Sequence, residues 1–140
     1  MDYDFVKLDR DLDKVKSQLF LGNNAAFLAP IMCSLEFSWN EEIETCDTDG
    51  INIRWNPKDF LGCTFEGRVS ALLHEIGHVY RLHPLRAGNR CPDVWNIACD
   101  IIINRDLRKM GYKIDDNHWA VPGLADHYEI PFDLEEQIYD

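Results

Sequence analysis

No stretch of the 140 residues is both long and apolar enough to cross a bilayer, and Met1-Asp2-Tyr3-Asp4-Phe5 has no basic region leading into an apolar run. Neither a membrane span nor a secretory signal is therefore expected. Positive charge is scarce: 14 Lys and Arg stand against 25 Asp and Glu, a formal charge of −11. That balance argues against non-specific binding to nucleic acid or an anionic membrane, and simple solubility accounts for it. Cysteines in C-x-x-C spacing are missing, and the five present (Cys33, Cys46, Cys63, Cys91, Cys99) are an odd number. A disulfide framework or a cysteine zinc knuckle is not expected, and the default is reduced thiols in a cytoplasmic setting. Repeats and low-complexity tracts are lacking too. With 46% hydrophobic and 11% aromatic residues, the composition excludes general disorder and suits one domain, 1–140, with a sizeable core.

Against this background one stretch stands out, Val69 to Leu82, which carries His74-Glu75-x-x-His78. Positions i and i+4 on a helix lie about 40° apart in rotation and about 6 Å apart in rise. Both imidazoles then point the same way and suit two corners of a tetrahedral Zn2+ site, with Glu75 beside them as a base for water held there. Val69, Leu72, Leu73, Ile76, Val79 and Leu82 form an apolar face at helical spacing, as a core helix needs. Gly77 would let another backbone come close. The bland alternative is a surface helix that happens to carry two histidines.

Around this helix the chain reads as short elements. Residues 9–21 form an amphipathic helix with Leu8, Leu12, Val15 and Leu19 as its stripe and Gly22 as its stop. Asn23 or Asn24 caps a second short helix that Pro30 interrupts or bends. Leu35–Trp39 and Ile51–Trp55 alternate apolar and polar residues. They read as a small antiparallel sheet with a long acidic connection. Asn56-Pro57-Lys58-Asp59 starts a helical turn, and Pro84 ends the motif helix near Leu82 or His83. A further helix opens at Asp93 and closes at Met110-Gly111; 111–128 is irregular with a turn at Pro122-Gly123, and 133–139 forms a last short helix.

Two histidines do not hold a catalytic zinc, so a third ligand is needed from Asp100, His83, Asp93, His118 or His127. On a continuing helix His83 would sit about 140° from His78, and only an early break would return it to the metal. The helix after Asp93 offers more. Its first turns are apolar, yet Asn96, Asp100 and Asn104 interrupt them at strict i, i+4 spacing. A carboxylate buried alone costs several kcal/mol, about the penalty for an unpaired ion, so something cationic should face Asp100. The metal is the natural partner, with Asn96 and Asn104 as hydrogen-bonding groups around it. An ion pair with Arg81 or Arg86, or a polar face in solvent, remains the alternative. His118 and His127 suit a surface or a pocket rim.

His74-Glu75-x-x-His78 with His83-Pro84-Leu85-Arg86, then Trp95-Asn96-Ile97-Ala98-x-Asp100-x-x-Ile103-Asn104, resembles the "putative metallopeptidase domain" of bacterial and phage proteins. The likeness extends to Thr48-Asp49-Gly50, Asn56-Pro57, Pro122-Gly123-Leu124 and Glu135-Glu136-x-Ile138-Tyr139, and so covers most of the chain. It implies peptidase activity on a protein or peptide substrate. In longer members a von Willebrand factor A-like module follows; this sequence departs from them by stopping at Asp140, and any partner role of that module is expected to be absent or supplied by another chain. The expected fold is α+β and zincin-like, mainly helical, with the small antiparallel sheet packed on the motif helix. His74, His78 and Asp100 are the expected metal ligands and Glu75 the general base. His83, Arg86, Tyr80 and Tyr128 are candidates to contact substrate or an oxyanion. Ile51–Trp55 is the candidate strand for holding a substrate backbone, unless it only covers the core. Two other readings share these residues: a metal-stabilised module that binds and regulates a partner protein without hydrolysis, and a hydrolase of a non-peptide amide. Glu75 favours an enzyme, because a structural zinc needs no base beside it.

Overall fold

The computed structural model describes residues 2–22 and 24–111. Expectations for His118, His127, Tyr128, the turn at Pro122-Gly123 and the last helix lie outside the described residues, as does Asn23 as a cap. Helix α1 (Phe5–Ser17) starts and ends four residues before the expected 9–21. Asp4 caps it, accepting from the Lys7 amide at 3.2 Å, which satisfies a donor that has no partner within the helix. Leu8, Leu12 and Val15 are buried, and a 3₁₀ turn (Gln18–Phe20) adds Leu19 to the same core. Helix α2 (Ala25–Cys33) runs through Pro30 rather than stopping there. The ring points to solvent while Leu28, Ala29 and Met32 are buried, and that packing offsets the missing hydrogen bond. Asn24 flanks α2 without a capping bond; its side-chain amide donates instead to the Met110 carbonyl at 3.2 Å.

The sheet corrects the antiparallel expectation. Strands β1 (Glu36–Trp39) and β3 (Asn52–Trp55) are parallel, with Phe37 opposite Ile53 and Trp39 opposite Trp55. A third strand, β2 (Cys46–Thr48), lies inside the acidic connection and pairs antiparallel with β3. The chain thus reverses twice between β1 and β3, which leaves them running the same way, in the order β1-β3-β2. The second reversal is a tight turn. The Asp49 carboxylate accepts from the amides of Ile51 and Asn52 at 2.9 and 2.7 Å, and Gly50 takes φ 98°, a conformation glycine adopts without steric cost.

Helix α3 (Pro57–Gly62) is capped by Asn56, and α4 (Phe65–Tyr80) by Thr64. Helix α4 is the centre of the molecule and packs against α1, α2, β2 and α6 (Pro92–Lys109). Every residue from Ser70 to Gly77 is buried, so for two turns the helix has no solvated face. Leu72, Leu73 and Ile76 supply the core, where burial contributes about 1.5–3 kcal/mol per large apolar side chain. Gly77 matters for α6: a Cβ there would come within 2.7 Å of Ile103 Cγ2. The two helices are also joined at the end of α4, where Arg81 donates to Asp106 through Nε and Nη2 at 2.7 and 3.0 Å and the Tyr80 hydroxyl adds a bond at 3.1 Å.

Helix α4 stops at Tyr80, two residues before the expected end, and Leu82 is exposed rather than part of its apolar face. Leu82 adopts φ 57°, ψ 34°, the one non-glycine residue with positive φ among the described residues. Such a conformation costs about 1–2 kcal/mol. It turns the chain back into a short helix, α5 (His83–Arg86). Among the described residues, no helix is long and apolar enough to cross a membrane.

Candidate metal centre

Three donor atoms meet between α4 and α6. His74 Nε2 lies 3.0 Å and His78 Nε2 3.4 Å from Asp100 Oδ1, and the two imidazole nitrogens are 3.2 Å apart. A tetrahedral metal with bonds of about 2.0–2.1 Å has donor–donor edges of about 3.3–3.4 Å, so the three atoms are spaced as one face of such a tetrahedron. The chemistry of the set, two imidazoles and a carboxylate, suits a first-row dication. The helical spacing of His74 and His78 and the close approach of α6 at Gly77 bring them together.

Asp100 is largely buried. Burial alone would raise its pKa, but the hydrogen bonds and charges of His74 and His78 outweigh that and hold it below the ordinary carboxylate value. Asp100 therefore faces the two histidines, while Arg81, the alternative ion-pair partner, is held by Asp106. Glu75 is 4% exposed, and its carboxylate lies within 4.8 Å of ligand nitrogens on His74 and His78. Burial pushes its pKa up to about 8; the charge of His78 opposes this, and those of Asp100 and Asp47 add to it. Beside it, Cys46 is held well above the ordinary thiol value, first by burial and then by Glu75.

These groups line a cleft of about 520 Å³, bounded on one side by Thr45, Cys46, Asp47 and Thr48 and on the other by His83, Trp95 and Asn96. Strand β2, not the expected β3, is the edge that borders the cleft. The segment Ile51–Trp55 is central in the sheet, with β1 on one side and β2 on the other, so its backbone groups are already paired. The polar stripe on α6 runs from solvent to core: Asn96 is exposed and lines the cleft, Asp100 is at the donors, and Asn104 is fully buried. Asn104 does not bond to Asp100; neither of its side-chain polar atoms has a hydrogen-bond partner among the described residues. Asp93 is exposed in the first turn of α6.

His83 does return to the site, because α4 breaks early. Its Nδ1 lies 3.0 Å from His78 Nδ1, the ring nitrogen facing away from Asp100. Arg86 donates to the Arg81 carbonyl at 2.9 Å and its guanidinium lies 5.9 Å from the Trp95 ring, so it does not line the cleft. The Tyr80 hydroxyl is directed to Asp106 rather than to the cleft. The indole of Trp95, a residue of the resembling block to which no role was given, donates to the His83 carbonyl at 3.3 Å. Two neighbours of the site had no sequence signal: Cys46, and Cys99, whose sulfur groups with His78 and His83 within 4.8 Å. Each meets the site through contacts distant in sequence, which periodicity does not reveal.

No curated protein and no solved structure matches the chain. Residues 9–140 match a family described as "putative metallopeptidase domain". A match over nearly the whole length, together with a donor set suited to a metal, leads to one conclusion: the chain belongs to the putative metallopeptidase domain family.

Proposed function

We propose that the chain is a zinc-dependent metallopeptidase in which His74, His78 and Asp100 hold the metal and Glu75 moves the proton. The observation that carries this is the meeting of His74 Nε2, His78 Nε2 and Asp100 Oδ1 within 3.4 Å of one another beside the buried Glu75 carboxylate. Membership of the family supports a protein or peptide substrate. Zinc, when bound, supplies Lewis acidity toward a peptide carbonyl and lowers the pKa of water in its open position. His74 and His78 present Nε2 and Asp100 presents Oδ1, so all three lend a lone pair. Glu75 accepts a proton from water as its oxygen attacks the carbonyl carbon. It then delivers that proton to the amine nitrogen as the C–N bond breaks. The buried position of Glu75 keeps bulk water from competing for the transfer. Strand β2 offers its outer edge to an extended substrate, whose backbone would pair there as an added strand.

The second reading is a metal-stabilised module that regulates a partner by binding alone. A donor set at the wall of an open cleft, with a carboxylate base beside it, speaks for the enzyme. The two are separated by comparing wild type with Glu75→Gln for zinc content and for cleavage of an unstructured peptide library read by mass spectrometry. The peptidase reading expects one zinc per chain in both proteins and a loss of cleavage of about 10²-fold or more in the variant. A zinc-loaded wild type that yields no more product than the variant would favour the binding module.

A further inference from the structure

We infer that His83 is a positioning residue for His78, holding the far nitrogen of that imidazole so that the near one is presented to the metal. The inference rests on the metal reading above. His78 Nε2 can lend its lone pair only if the ring proton sits on Nδ1. That Nδ1–H needs an acceptor, and His83 Nδ1 lies 3.0 Å away. With Nδ1 accepting, a neutral His83 carries its own proton on Nε2. One hydrogen bond thus fixes the tautomers of both rings and the rotation of His78.

The surroundings hold His83 in place. It is 3% exposed. The Trp95 indole donates to its backbone carbonyl at 3.3 Å, and the two rings meet edge to face with centroids 6.0 Å apart. The left-handed backbone at Leu82 is what brings His83 back beneath α4, so strain is accepted at the residue that sets this contact. Ligating histidines generally pass their other N–H to a fixed acceptor, and losing it weakens the metal by about 10–100-fold. An acceptor that is itself an imidazole, adjoining Trp95 on α6, also links the orientation of His78 to the helix that carries Asp100. The competing arrangement is a metal bound by His83 and Cys99 with His78, whose donor atoms lie within 4.8 Å of one another.

The test uses the full chain, with Zn2+ affinity measured by chelator competition and Co2+ spectra recorded for His83→Asn, His83→Leu, Cys99→Ser, Asp100→Ala and His74→Ala. Asn places a carbonyl oxygen where His83 has Nδ1; Leu fills the space without an acceptor. The expected result is a loss of about 10–100-fold for His83→Leu, with His83→Asn within about 3-fold of wild type and its cobalt bands unmoved. Equal affinity in wild type and His83→Leu would overturn the positioning role. So would equal weakness of Leu and Asn, or a loss as complete as that of Asp100→Ala. A thiolate-to-cobalt band that disappears in Cys99→Ser would also overturn it, in favour of the His83–Cys99 arrangement. If His83→Leu does not fold, His83→Asn decides through its cobalt bands, which a lost acceptor would shift. Affinity unchanged in His74→Ala and Asp100→Ala would instead bring down the underlying metal reading, a result distinct from a silent His83.

Discussion

In metal-free protein, Glu75→Gln is expected to raise stability at pH 8 and to change it little at pH 4 or below. Glu75 is buried, and its pKa rises from 4.5 to about 8. The unfolded chain releases the proton near the ordinary value while the folded chain keeps it. Stability therefore falls as pH rises through the window from 4.5 to about 8. The slope is about 1.4 kcal/mol per pH step, so the wild type loses about 4 kcal/mol by pH 8 and less than about 1 kcal/mol by pH 5. A glutamine of the same shape has no proton to lose. At pH 8 the chelator-treated variant should then unfold on the order of 10 °C above the chelator-treated wild type. The assay is thermal unfolding by circular dichroism at pH 4, 5, 6, 7 and 8, with chelator throughout. Parallel pH profiles for the two proteins, or a variant less stable at pH 8, would refute the reasoning. Added Zn2+ should flatten the wild-type profile, because a dication nearby favours the charged carboxylate.

Three further outcomes are expected. Gly77→Ala should destabilise the protein by about 1–3 kcal/mol through overpacking against Ile103, and in a double-mutant cycle of urea unfolding Ile103→Ala should recover about 1 kcal/mol of that. Leu82→Gly should match or exceed wild-type stability by up to about 1 kcal/mol, since glycine takes the left-handed backbone freely, whereas Leu82→Val should lower it; calorimetry distinguishes the two. Amides of Asn52 and then Ile51 hold the Asp49 carboxyl down at about 2. Its contribution is present above the ordinary carboxylate value and lost as pH falls toward 2. Asp49→Ala should therefore flatten the acid end of the unfolding curve without moving the neutral region relative to pH 5.

The motif helix is legible in the sequence because a 3.6-residue period and an i, i+4 histidine pair are local features that survive any tertiary context. Asp100 is legible for an energetic reason: an ionisable group in an apolar helix demands a partner, and the fold supplies His74 and His78. The sheet is only half legible. Alternation at Leu35–Trp39 and Ile51–Trp55 announces strands but carries no direction. The three residues of β2, two of them polar, are too few to show a period. Placing Ile51–Trp55 at a substrate-facing edge fails for the same reason, since edge or centre depends on that missing strand. The position of His83 turns on Leu82, whose left-handed backbone is contrary to its ordinary preference. Spacing rules assume helical geometry and predict His83 on the wrong side. Asn104 follows the i, i+4 rule yet ends in the core: along the same stripe Asn96 is exposed, Asp100 intermediate and Asn104 fully buried, a gradient that spacing alone does not carry.

The central claim is the identity of the three donors, and a zinc-edge anomalous difference map from a crystal of the Zn2+-loaded protein tests it most directly. A single peak bonded to His74 Nε2, His78 Nε2 and Asp100 Oδ1, at about 2.0–2.2 Å from each, is the predicted result. A peak on the other side of His78, between His83 and Cys99, would contradict it, as would Zn2+-loaded crystals with no peak at these residues.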